Sequence, residues 1–217
     1  MPLHVIYVNS GNANFVTNTR SFINVQANAQ VTLIESFYNI GTAKVFSNFV
    51  SEKFVGENAK LTCHTFQNEG ALSYSVNTNQ VKINKYSNYS NTTMTLSGEL
   101  VRNNHNVVLA DSNCEAHLNG LFISSGTQQI DNHTLIDHQM PHCESNELYK
   151  GIAKDKSSGT FNGKIFVRKD AQKTNAYQSS KNILMSDDAT INTKPQLEIY
   201  ADDVKCSHGT STGKIDT

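Results

Sequence analysis

The sequence has no tryptophan, only three prolines and only three arginines among its 217 residues. It also lacks any long apolar run, and with a mean hydropathy of −0.44 a membrane-spanning helix is excluded. Neither sign of charge dominates. With 18 basic and 19 acidic side chains the formal charge is −1, which leaves no basic footprint for nucleic acid and no acidic tail. The opening MPLHVIYVNSG has no charged n-region, apolar stretch and small-residue cleavage site, so no secretory signal is read there and a cytoplasmic protein is expected. The four cysteines, Cys63, Cys114, Cys143 and Cys206, form no CxxC pair. Without a signal they are expected to be free thiols. A mass of 24.0 kDa fits one large domain or two small ones, large enough to bury a core without disulfides.

What the sequence does contain is 26 asparagines and a persistent two-residue alternation. Phe22 and Asn24 alternate against Ile23 and Val25, and Leu72-Ser-Tyr-Ser-Val, Val81-Lys-Ile-Asn, Ile165-Phe-Val and Leu197-Glu-Ile-Tyr continue the pattern. This is the period of half-buried strands, and no sustained 3.6-residue apolar face accompanies it. Asn-Gly, Ser-Gly, Asn-Thr-Asn and Ser-Asn-Tyr-Ser-Asn clusters between the apolar runs read as turns. Asparagine enters the left-handed backbone region cheaply, which suits tight corners. An all-β protein follows, and a β-solenoid is preferred over a sandwich. Its coils are expected to take ~20–25 residues, roughly nine coils with no internal domain boundary.

Several motifs fail on inspection. Gly159-Thr-Phe-Asn-Gly-Lys-Ile and Gly209-Thr-Ser-Thr-Gly-Lys-Ile resemble phosphate loops. Each is one residue short, with isoleucine where a magnesium-binding hydroxyl belongs. No GxSxG elbow, HExxH helix or GxGxxG fingerprint occurs, so neither a hydrolase elbow nor a flavin site is assigned. Asp187-Asp188 and Asp202-Asp203 could supply acid to a polysaccharide lyase, but Arg20, Arg102 and Arg168 are scattered. Three sequons, at Asn88, Asn91 and Asn132, matter only in a secreted protein.

Two clusters could carry metal chemistry. The first runs from Asp131 through His133, Asp137, His138 and His142 to Cys143, where several nitrogen, sulfur and oxygen donors fall close together. On an extended strand His133 and His138 have opposite parity, so the competing reading is hydrogen-bonded core and corner histidines. In the second, Val204, Cys206 and His208 share one face of a strand, with the thiol and imidazole residues about 6–7 Å apart at Cα. From spacing alone Val204 and Cys206 read as core residues and His208 as the strand end.

The segment Lys194-Pro-Gln-Leu-Glu-Ile-Tyr-Ala-Asp-Asp-Val-Lys-Cys-Ser-His-Gly209 resembles the signature of the SufD family, subunits of the SUF iron–sulfur cluster scaffold. Tyr149-Lys-Gly-Ile152, Phe161-Asn-Gly-Lys-Ile165, Ala171-Gln-Lys-Thr174 and the run from Gln178 to Ser186 follow the family order. Asp131, His133, Thr134, His138, Arg102-Asn103 and Gly120 also match. Ser180 stands where the family usually has asparagine, and Gly-Thr-Ser follows His208 where it has Gly-Ala-Thr. The resemblance implies a right-handed parallel β-helix. It covers residues 1–217 as a single β-helix core domain, without the family's flanking helical regions.

The resemblance further implies a non-enzymatic scaffold that pairs with SufB, or with a second copy of itself as a homodimer. The SufC ATPase would dock on a C-terminal helical region beyond this chain. A nascent iron–sulfur cluster would be shared with SufB, with none in the isolated chain, and His208 and Cys206 are the candidate ligands. The alternative is a secreted carbohydrate-binding or carbohydrate-acting β-helix, favoured by the asparagines and sequons.

Overall fold

A computed structural model describes residues 2–215, so Met1, Asp216 and Thr217 of the expected domain lie outside the described residues. The described residues contain fifteen strands and no helix. In chain order the strands are β1 (Leu3–Asn9), β2 (Phe15–Val25), β3 (Gln30–Asn39), β4 (Val45–Val55), β5 (Lys60–Asn68), β6 (Ser73–Ile83), β7 (Asn88–Ser97) and β8 (Leu100–Leu109). Then follow β9 (Glu115–Ser124), β10 (Gln129–His138), β11 (Glu144–Ala153), β12 (Ser158–Val167), β13 (Asn175–Leu184), β14 (Thr190–Ile199) and β15 (Lys205–Lys214). Odd strands stack in one parallel sheet of eight and even strands in a second of seven. The chain therefore winds between two sheets as a parallel β-solenoid of about seven turns.

The coil is longer than the sequence suggested. Leu3 stands beside Leu33 and Asn175 beside Lys205, so one turn takes about 30 residues and the expected nine coils become about seven. The reason is local: several apparent turn signals lie inside strands. Asn119-Gly120 is in β9, Asn162-Gly163 in β12, and Asn77-Thr-Asn79 in β6. Glycines in the strands admit aromatic rings from a neighbouring coil. A Cβ on Gly120 would lie 2.2 Å from the Tyr149 ring, and one on Gly151 2.2 Å from Phe122. Large and small residues thus alternate between neighbouring coils, and the ring of Tyr149 stacks on that of Phe161 at 4.5 Å. Each fully buried ring contributes on the order of 2–3 kcal/mol.

One column of corners carries a left-handed residue in six successive coils. Asn28, Asn58, Tyr86, Asn113, His142 and Lys173 have φ between 54° and 63° at equivalent positions of successive coils. Each donates its N–H to a corner carbonyl of the following coil, as in Asn58 to Lys85 and His142 to Gln172, both at 2.9 Å. Asparagine holds three of these six positions, as its tolerance of that region leads one to expect. The residue after each is small and points inward: Ala29, Ala59, Ser87, Cys114, Cys143 and Thr174.

The interior is apolar along one track, through Val55, Leu61, Ile83, Leu109, Leu118 and Ile136, and polar along another. Lys53 is 1% exposed, and its Nζ donates to Glu35 at 2.9 Å and to Asn79 at 3.0 Å. Further along, Gln67 donates to Asn103 at 2.8 Å and Asn103 to Asn132 at 3.0 Å. Buried polar groups are sustained by such chains, because an unpaired one costs about 1–3 kcal/mol.

Candidate functional site

The final described coil is open. Strand β15 pairs only with β13, and β14 only with β12, leaving two edge strands at that end of the described residues. Sheet register stands Cys206 beside Ala176 and His208 beside Gln178. Val204 and Cys206 are half-buried and pack against the Ile165, Val167 and Ala201 group, whereas His208 is exposed. The three residues share the inward parity, as expected, but β15 runs on to Lys214, so His208 is not a strand end. Burial pushes the Cys206 thiol up, leaving it protonated near neutral pH unless a metal displaces the proton. The exposed imidazole is the more accessible donor of the two.

Gln178 stands one rung below His208 and Glu147 one rung further down, and the two form a buried polar pair. Gln178 donates Nε2 to Oε2 of Glu147 at 2.5 Å, and both side chains are buried. Desolvation raises the Glu147 carboxyl to about 7, against the opposing hydrogen bond from Gln178 and the nearby Thr134 hydroxyl. Burial therefore lets Glu147 keep its proton well above the ordinary carboxylate range. Oε1 of Glu147 and Oε1 of Gln178 have no hydrogen-bond partner among the described residues.

The first sequence cluster does not converge. Asp131 and His133 face outward on β10, while His138 faces inward and its Nε2 contacts Ser145 Oγ at 2.9 Å. His142 is a left-handed corner residue and Cys143 is buried beneath it. Among the described residues, no three His, Cys, Asp or Glu side chains gather as a metal-ligand set; His138 is a core residue and His142 a corner residue, whereas His133 lies on the outer face. Cys206 and His208 are two potential donors at inward-parity positions of β15, one half-buried and one exposed.

The other sequence candidates resolve simply. All four cysteines are free. Both GxxxGKI stretches are extended strand, in β12 and β15. Arg20, Arg102 and Arg168 each pair with a carboxylate, of Glu52, Asp131 and Asp137. Asp187 pairs with Lys214 and Asp203 with Lys173, so the acidic pairs are used at separate corners. The sequon residues Asn91 and Asn132 are buried, at 1% and 3% exposure. A glycan cannot occupy either in the folded chain, which removes much of the support for a secreted carbohydrate-binding solenoid.

Sequence reasoning missed two constellations. One is the Glu147–Gln178 pair, whose only signal is two polar residues at inward parity. The other is on the outer face of β8 and β10. Asp131 there lies between the Arg102 guanidinium and the His133 imidazole, whose Nε2 is 2.9 Å from Oδ1. That second approach is off the hydrogen-bond direction, since Oδ1 gains no directed donor. Partial burial, aided by Arg102 and opposed by Asp131, lowers the His133 pKa and keeps the ring neutral at neutral pH.

The described residues thus form a two-sheet β-solenoid whose last edge strand carries an exposed imidazole and a half-buried thiol. The family described as "SUF system FeS cluster assembly, SufBD core domain" matches residues 7–217, and the chain belongs to that family. It is 33% identical to an iron–sulfur cluster assembly SufBD family protein of Synechocystis, over 99% of this chain and 49% of that protein. It is likewise 33% identical to the iron–sulfur cluster assembly protein SufD of Escherichia coli, over 99% of this chain and 52% of that protein. Identity to SufD of Bacillus subtilis is 27%, over 99% and 49%. The chain spans about half the length of these curated relatives. Its membership supports a role in iron–sulfur cluster assembly.

Proposed function

We propose that this chain is the β-helix core of a non-enzymatic SufD-type scaffold subunit, acting in the cytoplasm. It pairs through its solenoid with a SufB-type subunit, or with a second copy of itself when that subunit is absent. ATP hydrolysis belongs to a SufC-type partner. The nascent iron–sulfur cluster is cargo, held between subunits, with His208 as this chain's foremost ligand and Cys206 second. The observation that supports this reading is the exposed His208 on the edge strand β15 of a chain in the SufBD core family.

Physical chemistry favours the division of labour. A neutral imidazole binds iron without losing a proton, whereas the raised Cys206 thiol must first ionise. One histidine cannot hold a cluster alone, so thiolates must come from a partner. Edge strands with unpaired N–H and C=O groups offer the surface for that pairing.

The test is co-expression of the full-length protein with SufB- and SufC-type subunits, followed by co-purification and iron and sulfide analysis. The expected result is a complex containing all three proteins, with iron and acid-labile sulfide. Recovery of this protein free of both subunits, with cluster yield unchanged when its gene is removed, would overturn the proposal.

A further inference from the structure

Cys114 and Cys143 occupy the same corner position on consecutive coils, each directly after a left-handed residue, Asn113 and His142. Both side chains are buried, at 1% and 0% exposure. Both thiols approach one acceptor: Sγ of Cys114 lies 3.1 Å, and Sγ of Cys143 3.2 Å, from the carbonyl oxygen of Asp111. The adjoining backbone is in register, with the N–H of Glu144 donating to the carbonyl of Cys114 at 2.9 Å. Neighbouring parallel strands lie about 4.8 Å apart, which is inside the Cα range that a disulfide spans. The other occupants of this corner column are Ala29, Ala59, Ser87, Thr174 and Val204. Small size alone does not require two adjacent thiols there.

The surroundings activate one sulfur. The adjoining Cys114 thiol draws Cys143 well below an ordinary thiol, against the opposing effect of burial and with further help from His138. Cys114 is pushed up in turn, first by the neighbouring Cys143 sulfur and then by burial. His138 is fully buried, and its Nδ1 has no hydrogen-bond partner among the described residues. A thiolate beside a thiol is the arrangement from which disulfides form.

We propose that Cys114 and Cys143 form an oxidisable dithiol that a hydroperoxide converts to a disulfide joining two coils. The Cys143 thiolate attacks one peroxide oxygen: an S–O bond forms, the O–O bond breaks, and the departing hydroxide takes a proton to leave as water. Cys114 then attacks the sulfenic sulfur. The S–S bond forms, the S–O bond breaks, and the Cys114 proton leaves with the hydroxyl as a second water. Two electrons pass from the sulfur pair to the peroxide. The thiols lie one residue along the chain from the exposed corner residues Asn113 and His142.

The test uses the full-length protein treated with hydrogen peroxide while its circular dichroism is followed. Peptide mapping without reductant then reads the product, and dithiothreitol reverses it. The expected result is a Cys114–Cys143 cross-linked peptide pair, two hydrogens lighter than the reduced pair, formed with the strand signal unchanged. Cys114→Ser should divert oxidation to a Cys143 sulfenic acid trapped by dimedone, and Cys143→Ser should slow oxidation of Cys114 at least tenfold. Cross-linking seen only after the strand signal is lost would overturn the proposal. So would oxidation confined to Cys206 with both corner thiols intact.

Discussion

Gln178 holds the fully buried carboxyl of Glu147 at 2.5 Å, directly beneath the strand that carries His208. A carboxyl raised to about 7 by desolvation ties the stability of this end of the solenoid to pH. Its folded pKa exceeds its unfolded value near 4.5, so its contribution is fully present below pH 4.5 and lost as pH rises to about 7. The full shift corresponds to on the order of 3 kcal/mol. Glu147→Gln removes the titration and keeps the hydrogen-bonding shape. Relative to the parent, the variant should therefore gain stability as pH rises from 4.5 to 7 and then hold level. Urea denaturation at several pH values reads this difference, and a flat difference would refute it.

His105 carries the opposite linkage. Burial first, and the Lys53 charge second, depress its imidazole from 6.5 to about 3, and its Nε2 is 3.0 Å from the Tyr89 hydroxyl. Its contribution is present above pH 6.5 and lost as pH falls toward about 3. Between pH 4.5 and 6.5 the His105 and Glu147 slopes oppose each other, each at about 1.4 kcal/mol per pH unit. His105→Gln should lose stability relative to the parent as pH rises through that window. The paired variant Glu147→Gln/His105→Gln should track the parent more closely than either single change. Parallel curves for the two single variants would contradict both assignments.

Lys53 and Glu35 are expected to be worth keeping only together. Lys53→Met strands the Glu35 carboxylate in a site 2% exposed, a loss of about 3–5 kcal/mol. Lys53→Met/Glu35→Leu should recover most of that loss, because replacing a buried ion pair with apolar groups is often close to neutral. Denaturant midpoints of the three proteins decide the matter. A double variant as unstable as the single one would mean that the polar track, not the charge, holds these coils.

His142 is the corner residue with least reason to be what it is. It sits at φ 61° with its side chain exposed, and in the same column Asn28, Asn58 and Asn113 hold the same conformation. Asparagine relieves the left-handed penalty, so His142→Asn should stabilise the chain by roughly 0.5–1 kcal/mol. A rise of a few degrees in melting temperature is the expected reading. A fall would show that the histidine ring makes a contact worth more than the backbone strain.

The sequence made the strands legible because their interior positions recur every second residue, as in Val81 and Ile83 or Ile165 and Val167. Coil length was not legible, because Asn77, Asn79 and the Asn-Gly pairs look like turns while serving an interior polar network and the seats of aromatic rings. The opposite facing of His133 and His138 followed from parity alone. The Glu147–Gln178 contact did not, because it joins residues 31 apart and depends on a coil length that no repeated motif announces. Cys206 and His208 came from local resemblance, and the structure adds the difference in exposure that ranks them.

That difference separates the roles of the pair. Cys206 packs against the buried group of Ile165, Val167 and Ala201, so Cys206→Ala should cost about 1 kcal/mol of stability while leaving much of the cluster yield. His208 is exposed and packs on little, so His208→Ala should leave stability within about 0.5 kcal/mol of the parent. Losing an imidazole ligand should instead lower the iron and sulfide content of the assembled complex by about tenfold, within the range that loss of a metal-site group produces. His208→Cys, which restores a donor, should recover part of the yield and alter the visible absorption of any bound cluster. A histidine acting only through packing would show the reverse pattern, with stability falling and yield recovering when the complex is kept cold. If His208→Ala assembles the intact complex and loads it with iron and sulfide at the parent rate, the ligand role is wrong and the exposed imidazole has another purpose.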